Sequence, residues 1–117
     1  VQKEVSLFTL NDSFSTDIFE IKGLIGASDV SGAISNGPLV ENLQSILTLL
    51  DYPLKLSGVF DIESVFALQS FQKFHGLETS GFTDESTCQV LNSHVQLFQS
   101  LLHRFNSFFN TLEKPLN

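Results

Sequence analysis

Residues 40–92 read VENLQSILTLLDYPLKLSGVFDIESVFALQSFQKFHGLETSGFTDESTCQVLN. Within them one pattern occurs twice, first as Ser57-Gly58-Val59-Phe60-Asp61 and again 23 residues later as Ser80-Gly81-Phe82-Thr83-Asp84. Each copy offers a glycine suited to a positive-φ turn, followed by an acid that can accept bonds from the free amides of a first helical turn. A hydroxyl follows three residues after each acid, Ser64 and Thr87, where it can return a bond to the cap. The acids also favour the positive end of a helix dipole. Two helices entered from similar turns are therefore expected. Gly76, just after Phe74-His75, suits the end of the first of them.

Upstream, Pro38 fits the first turn of a helix. Val40, Leu43, Leu47 and Leu50 share one helical face, with Ile46 beside them. Asp51-Tyr52-Pro53 should end that helix, because the residue before a proline avoids α geometry. Downstream, Leu91, Val95, Phe98, Leu102, Phe105, Phe109 and Leu112 step by alternating fours and threes, which is a heptad seam. Leu101 and Phe108 widen it, while Gln96, Ser100, His103, Ser107 and Asn110 fall opposite. One helix is expected from Asp84 to about Glu113, roughly 45 Å long at the helical rise, with Pro115 as a stop. Its apolar stripe can pack on its own domain or against a partner chain, and a core of roughly 50 residues is too short to cover all of it.

The N-terminal third carries weaker signals. Val5-Ser6-Leu7-Phe8-Thr9-Leu10 has strand-type residues, and Asn11-Asp12-Ser13 reads as a turn. Ile18-Phe19-Glu20-Ile21 suits a second strand or a short helix capped by Ser15 or Thr16. Residues 26–37, GASDVSGAISNG, read as a linker or mobile loop. The expected fold is mainly α. Residues 38–92 make a small three-helix domain, 93–117 a C-terminal amphipathic extension, and 1–37 an irregular or β N-terminal extension with the Gly/Ser loop.

The 117 residues suffice for one domain with a modest core, and 42% hydrophobic against 16% charged favours folding over disorder. With twelve Phe and no Trp or Met, Phe is the expected main core filler. A net charge of −7 argues against nucleic acid and anionic membranes. No run approaches the length of a membrane span, and no signal peptide is visible. A chain that starts at Val1 without Met suggests a processed product or a fragment. Cys88, the sole cysteine, permits neither an internal disulfide nor a CxxC zinc site, and its spacing with Leu91 and Val95 suits a small buried hydrophobe. It tilts the expected location slightly towards an intracellular one, with an extracellular or wall setting open.

Taken together, residues 40–92 resemble the small helical peptidoglycan-binding-like domain, which also occurs in matrix metalloprotease pro-segments. That pattern has Leu-Gln, an aromatic, Gly-x-Phe, Thr, Ala, Phe-Gln, Gly-Leu, then a second Gly and Thr. It falls here on Leu43-Gln44, Tyr52, Gly58 with Phe60, Ser64 in place of Thr, Ala67, Phe71-Gln72, Gly76-Leu77, Gly81 and Thr87, with Leu91 closing the run. The family often has Asp-Gly at the turns, where this chain has Ser-Gly. The Pro-Arg-Cys-Gly motif of the protease pro-segments is absent, so protease inhibition is not supported. Phe60, Ala67, Leu68, Phe71, Leu77 and Leu91 have core spacing. Gln44 and Gln72 suit bonding to buried loop backbone, since buried polar groups need partners.

No catalytic group, cofactor or metal ligand set is expected. His75, His94 and His103 have no ligand spacing such as HExxH, and Cys88 and His94 would lie on opposite helix faces. Asp61-Glu63 and Asp84-Glu85 are explained by capping, and no glycine-rich phosphate loop is present. Two binding functions remain. The favoured one is a protein-interaction or self-associating module acting through Phe98, Leu101, Leu102, Phe105, Phe108, Phe109 and Leu112. The alternative, implied by the resemblance, is a module that targets peptidoglycan, with Tyr52, Gln72 and His75 as groove residues. The structural turn and cap set is Gly58, Asp61, Gly76, Gly81 and Asp84. A sugar-binding groove needs aromatic faces, and with no Trp and one Tyr that supply looks thin.

Overall fold

A computed structural model describes the backbone of residues 18–113 and the side chains of residues 18–108. Three helices follow in order: α1 (Pro38–Leu49), α2 (Ile62–Phe74) and α3 (Glu85–Glu113). Val5–Leu10, Asn11–Ser13, Pro115 and the side chains of Phe109 and Leu112 lie outside the described residues.

The helix boundaries have local causes. Pro38 occupies the first turn of α1, as its fixed φ favours. Asp61 is the N-cap of α2, and its Oδ1 accepts from the Ser64 amide and the Ser64 hydroxyl, each at 3.1 Å. Asp84 repeats the arrangement at α3, accepting from the Thr87 amide at 3.0 Å. Gly58 and Gly81 precede these caps with φ of 76° and 81°.

Both shorter helices end in Schellman motifs. At α2 the Gly76 amide donates to the Lys73 carbonyl and the Leu77 amide to the Gln72 carbonyl, with Gly76 at φ 69°. At α1 the Asp51 amide reaches Thr48 O and the Tyr52 amide reaches Leu47 O. The left-handed position there is held by Asp51, φ 77°, where glycine would be easier.

Core packing differs from the composition-based expectation. The buried cluster contains Ile18, Ile21, Ile25, Val40, Leu43, Ile46, Leu47, Leu68, Leu91 and Val95, and of the phenylalanines among the described residues only Phe60 and Phe71. Phe19, Phe66, Phe74, Phe105 and Phe108 are exposed. Aliphatic side chains therefore fill the core and several rings face outward. Ala67 and Leu77 are only partly buried.

The segment before Pro38 is a structured part of the same core. Ile18–Ile21 forms neither strand nor helix; it runs as a strap whose backbone is satisfied by side-chain amides. Asn42 receives the Phe19 amide at 2.9 Å and donates back to its carbonyl at 2.9 Å. Asn92 does the same for Ile21 at 2.6 and 3.0 Å, and Gln99 donates to Ile18 O. Two asparagines thus supply the donor–acceptor pairs that a neighbouring strand would have offered, and α1 is tied to α3.

Residues 26–37 are likewise held in place. Ile25 and Ile34 form a parallel bridge, Asn36 and Val59 an antiparallel one, and the Gly37 amide donates to Gly58 O at 2.8 Å. A Cβ on Gly26 would stand 2.8 Å from Phe82 Cβ, so the loop approaches the second turn as closely as glycine permits.

Candidate binding surface

Two buried glutamines build the turns that shape the surface. Gln44 accepts from the Gly58 amide at 2.9 Å, and its Nε2 reaches Val59 O at 2.9 Å, Ser64 Oγ at 3.1 Å and Ser57 Oγ at 3.5 Å. Gln72 accepts from the Gly81 amide at 3.0 Å, and its Nε2 reaches Phe82 O at 3.0 Å, Thr87 Oγ1 at 2.9 Å and Ser80 Oγ at 3.1 Å. The partners correspond one to one: turn serine, glycine amide, next carbonyl, first-turn hydroxyl. Both carboxamides are essentially excluded from solvent. Each turn is clipped to the helix before it, which fixes how the next helix departs.

The second clip tunes its cap. Burial raises the Asp84 carboxyl's pKa, but bonds from the Thr87 hydroxyl and amide and from the Ser80 hydroxyl outweigh it, so the group titrates below the usual value. Burial, with the nearby Asp84 and Glu85 charges, pushes the Cys88 thiol up against a weaker opposing bond with Thr83. Cys88 faces Gly23 O and Thr83 O, whereas His94 faces Phe71 and His75.

The sequence-predicted groove residues separate into different environments. Tyr52 is half-buried, 6.3 Å edge-on from the Phe71 ring, and borders an open trough. His75 leans on Phe71, ring centres 4.4 Å apart and planes tilted by 50°. Gln72 is fully buried with its carboxamide committed to the second turn, so it supports the surface from beneath and no groove reaches it. Burial, and after it the neighbouring His75, hold the His94 imidazole below its ordinary pKa.

The trough by Tyr52 encloses about 430 Å³ between the 51–54 turn and α2, lined by Asp51, Tyr52, Leu54, Glu63, Phe66 and Ser70 among others. Phe66 and Ser70 are shared with a second hollow of about 380 Å³ that continues to Gln69, Lys73 and Thr79. The two form one shallow surface with a 59% exposed Phe66 ring between polar flanks. Phe66 escapes sequence reasoning because its neighbours Leu68 and Phe71 are equally apolar and lie in the core.

On α3 the proximal seam is domain core: Leu91 and Val95 are buried and Leu102 packs against the cluster. Further along, Phe98, Leu101, Leu102 and Phe105 join Ile18 and Leu49 around an apolar hollow of about 330 Å³. Leu101, Phe105 and Phe108 are about half exposed. No helix among the described residues is long and apolar enough to cross a membrane.

Comparison with known proteins bears on this surface. Residues 36–91 match the family model described as a putative peptidoglycan binding domain. A peptidoglycan-binding protein from Clostridioides difficile, crystallised with glutamine hydroxamate, is similar at 28% identity and a TM-score of 0.55. The match covers 67% of this chain and 45% of that one, so the chain spans under half of that relative's length. The N-terminal domain of SleB is similar at 28% identity and a TM-score of 0.55, over 67% of this chain and 97% of that one. No curated protein sequence matches. With three helices, doubled capped turns and the matched span coinciding, residues 36–91 form a helical domain of the peptidoglycan-binding-like type.

Proposed function

We propose that the chain is a non-catalytic module that binds peptidoglycan through the shallow surface over α2. The carrying observation is Phe66, an exposed ring set between polar side chains on a domain whose matching family model and one similar solved structure bear peptidoglycan-binding names. An aromatic face takes the apolar face of a sugar ring, while Tyr52, Glu63, Ser70 and Gln69 around it offer donors and acceptors to hydroxyl and amide groups. Lys73 supplies a cation for a peptide carboxylate. The exposed phenylalanines remove the expectation that aromatic faces are scarce, which had favoured a protein partner. On this reading the module works where peptidoglycan is, outside the cytoplasmic membrane.

Sedimentation with insoluble peptidoglycan tests the proposal. The wild-type chain is expected to pellet with the wall, and Phe66→Ala to lose most retention with an unchanged thermal midpoint. A chain that stays in the supernatant sinks wall binding; a Phe66→Ala variant that pellets normally moves the site elsewhere.

The apolar hollow by Ile18 and Phe105 supports a second reading, in which the distal part of α3 docks a protein or a second copy. Sedimentation equilibrium of Leu101→Ser against wild type tests it. A monomer in both cases removes self-association.

A further inference from the structure

The strap that begins at Ile18 runs alongside α3 with a fixed direction and pitch. Gly23 O accepts from Thr83 Oγ1 at 2.8 Å and lies 3.8 Å from Cys88 Sγ. Ile21 is clasped by Asn92, and Ile18 O accepts from Gln99 at 3.1 Å. Followed backwards in sequence, the strap therefore moves towards the C-terminal end of α3. From Ile21 to Ile18 it covers about 10 Å of extended chain, and from Asn92 to Gln99 the helix covers about 10.5 Å. The strap meets the apolar hollow at Ile18, which is itself part of the lining with Leu49, Phe98, Leu101, Leu102 and Phe105. Ile18 is 5% exposed and Leu101 48%, so the apolar lining opens to water just beyond the point where the strap begins.

Leu10, Phe14 and Ile18 stand four apart in sequence. A step of four returns a side chain to the same side in a helix and in a strand alike, so Leu10 and Phe14 share the side of Ile18 in either geometry. Extended, the chain from Ile18 to Phe14 advances about 13 Å, the length of about nine helix residues; coiled, it advances about 6 Å, the length of about four. Counted from Gln99, that brings Phe14 beside α3 between about positions 103 and 108, at the open end of the hollow. We propose that the hollow is the docking site of the chain's own segment Leu10–Phe14, with the Phe14 ring over Leu101, Leu102 and Phe105. The short tether to Ile18 holds Phe14 there at an effective concentration of about a millimolar or more, which a second copy at micromolar concentration does not match. Seating the ring and the leucine removes apolar surface of both segment and helix from water. Docking of a second copy or another protein at the same hollow then requires that the segment be displaced first.

NMR of the full chain decides between the occupants. Nuclear Overhauser contacts from the Phe14 ring to the Leu101 and Leu102 methyls are expected. In a sample mixed from labelled and unlabelled chains, those contacts should stay within one chain. Phe14→Asp should raise the fluorescence of an added apolar dye, anilinonaphthalene sulfonate, severalfold, while Ser15→Asp leaves it at the wild-type level. The contacts are read in the native chain, so they decide even if a variant folds poorly. Contacts that cross between chains give the hollow to a second copy, and a Phe14 ring with no contact on α3 leaves it to a separate partner; either result overturns the proposal. An unchanged dye signal in Phe14→Asp does the same. Wall retention is read at Phe66 on α2 and stands or falls independently.

Discussion

Replacing Gln72 by Leu keeps the side chain's bulk and removes four hydrogen bonds at once. The Gly81 amide is left buried with no acceptor, an omission worth about 1–3 kcal/mol. Thr87 Oγ1, fully buried, loses its donor, although the hydroxyl keeps Asp84 as a partner. Phe82 O retains the Ser80 hydroxyl at 3.1 Å, so it adds little. The expected cost is about 2–4 kcal/mol. The same change at Gln44 exposes a milder fault. Gly58 is only half-buried, so water can replace the lost acceptor, and Val59 O keeps Ser57 Oγ at 3.3 Å. About 1–2 kcal/mol is expected there. Urea unfolding of both variants at constant slope gives the comparison directly. Equal losses at the two sites, or a Gln72→Leu loss below about 1 kcal/mol, would refute the idea that the clips differ through solvent access. Gln72→Glu adds a sign test. It sets a carboxylate oxygen against Phe82 O in a buried site, which raises its folded-state pKa. The folded state then holds the proton more tightly, so this variant should lose stability as pH rises past the unfolded value of about 4.3.

Three further outcomes are expected. Gly58→Asn should be tolerated, because Asn accepts the left-handed region and a Cβ there makes only ordinary contact with the Gly37 backbone, at 3.5 Å from O and 4.0 Å from N; Gly81→Asn should cost more, since its Cβ meets Val65 Cγ1 at 3.2 Å and Gln69 Nε2 at 3.3 Å. Thermal melts of the pair showing the reverse order would contradict the packing. Asp84, titrating below its usual value, contributes stability that is complete above an unfolded pKa of about 3.9 and is lost as pH falls through the folded one. Asp84→Asn should therefore flatten the acid limb of a midpoint-against-pH curve, and an unchanged limb would deny the capping bonds any linkage. Cys88, half-buried with a raised pKa, should react with a thiol reagent at neutral pH far more slowly than free cysteine; a rate like that of free cysteine would place it in solvent.

What could be read in advance was local. Gly58, Asp61, Gly76, Gly81 and Asp84 announce their roles through short-range turn and cap chemistry. Gln44 and Gln72 were legible as backbone partners because a polar residue inside an apolar run needs one. The strap was not. Its amides are satisfied by Asn42 and Asn92, 23 and 71 residues away, and no periodicity encodes a single side chain standing in for a strand. The Gly/Ser run looked mobile for the same reason, since its anchors at Gly58 and Phe82 are distant in sequence. Phe66 was lost in a helix apolar on more than one side, where only the third dimension separates Phe71 inside from Phe66 outside.

The three fastenings differ most in how much chain each must close. Gln72 and Gly81 are 9 residues apart, Gln44 and Gly58 are 14, and Ile21 and Asn92 are 71. Closure entropy makes the second clip about 0.4 kcal/mol, and the strap about 1.8 kcal/mol, costlier to bring together than the first. The folding order is thereby biased: α2 joins α3, α1 docks next, and the strap seats last over a core that lacks Ile18, Ile21 and Ile25 until then. Pulse-labelled hydrogen exchange should protect the Gly81 amide first, Gly58 second and Ile21 last, and early protection of Ile21 would reverse that order.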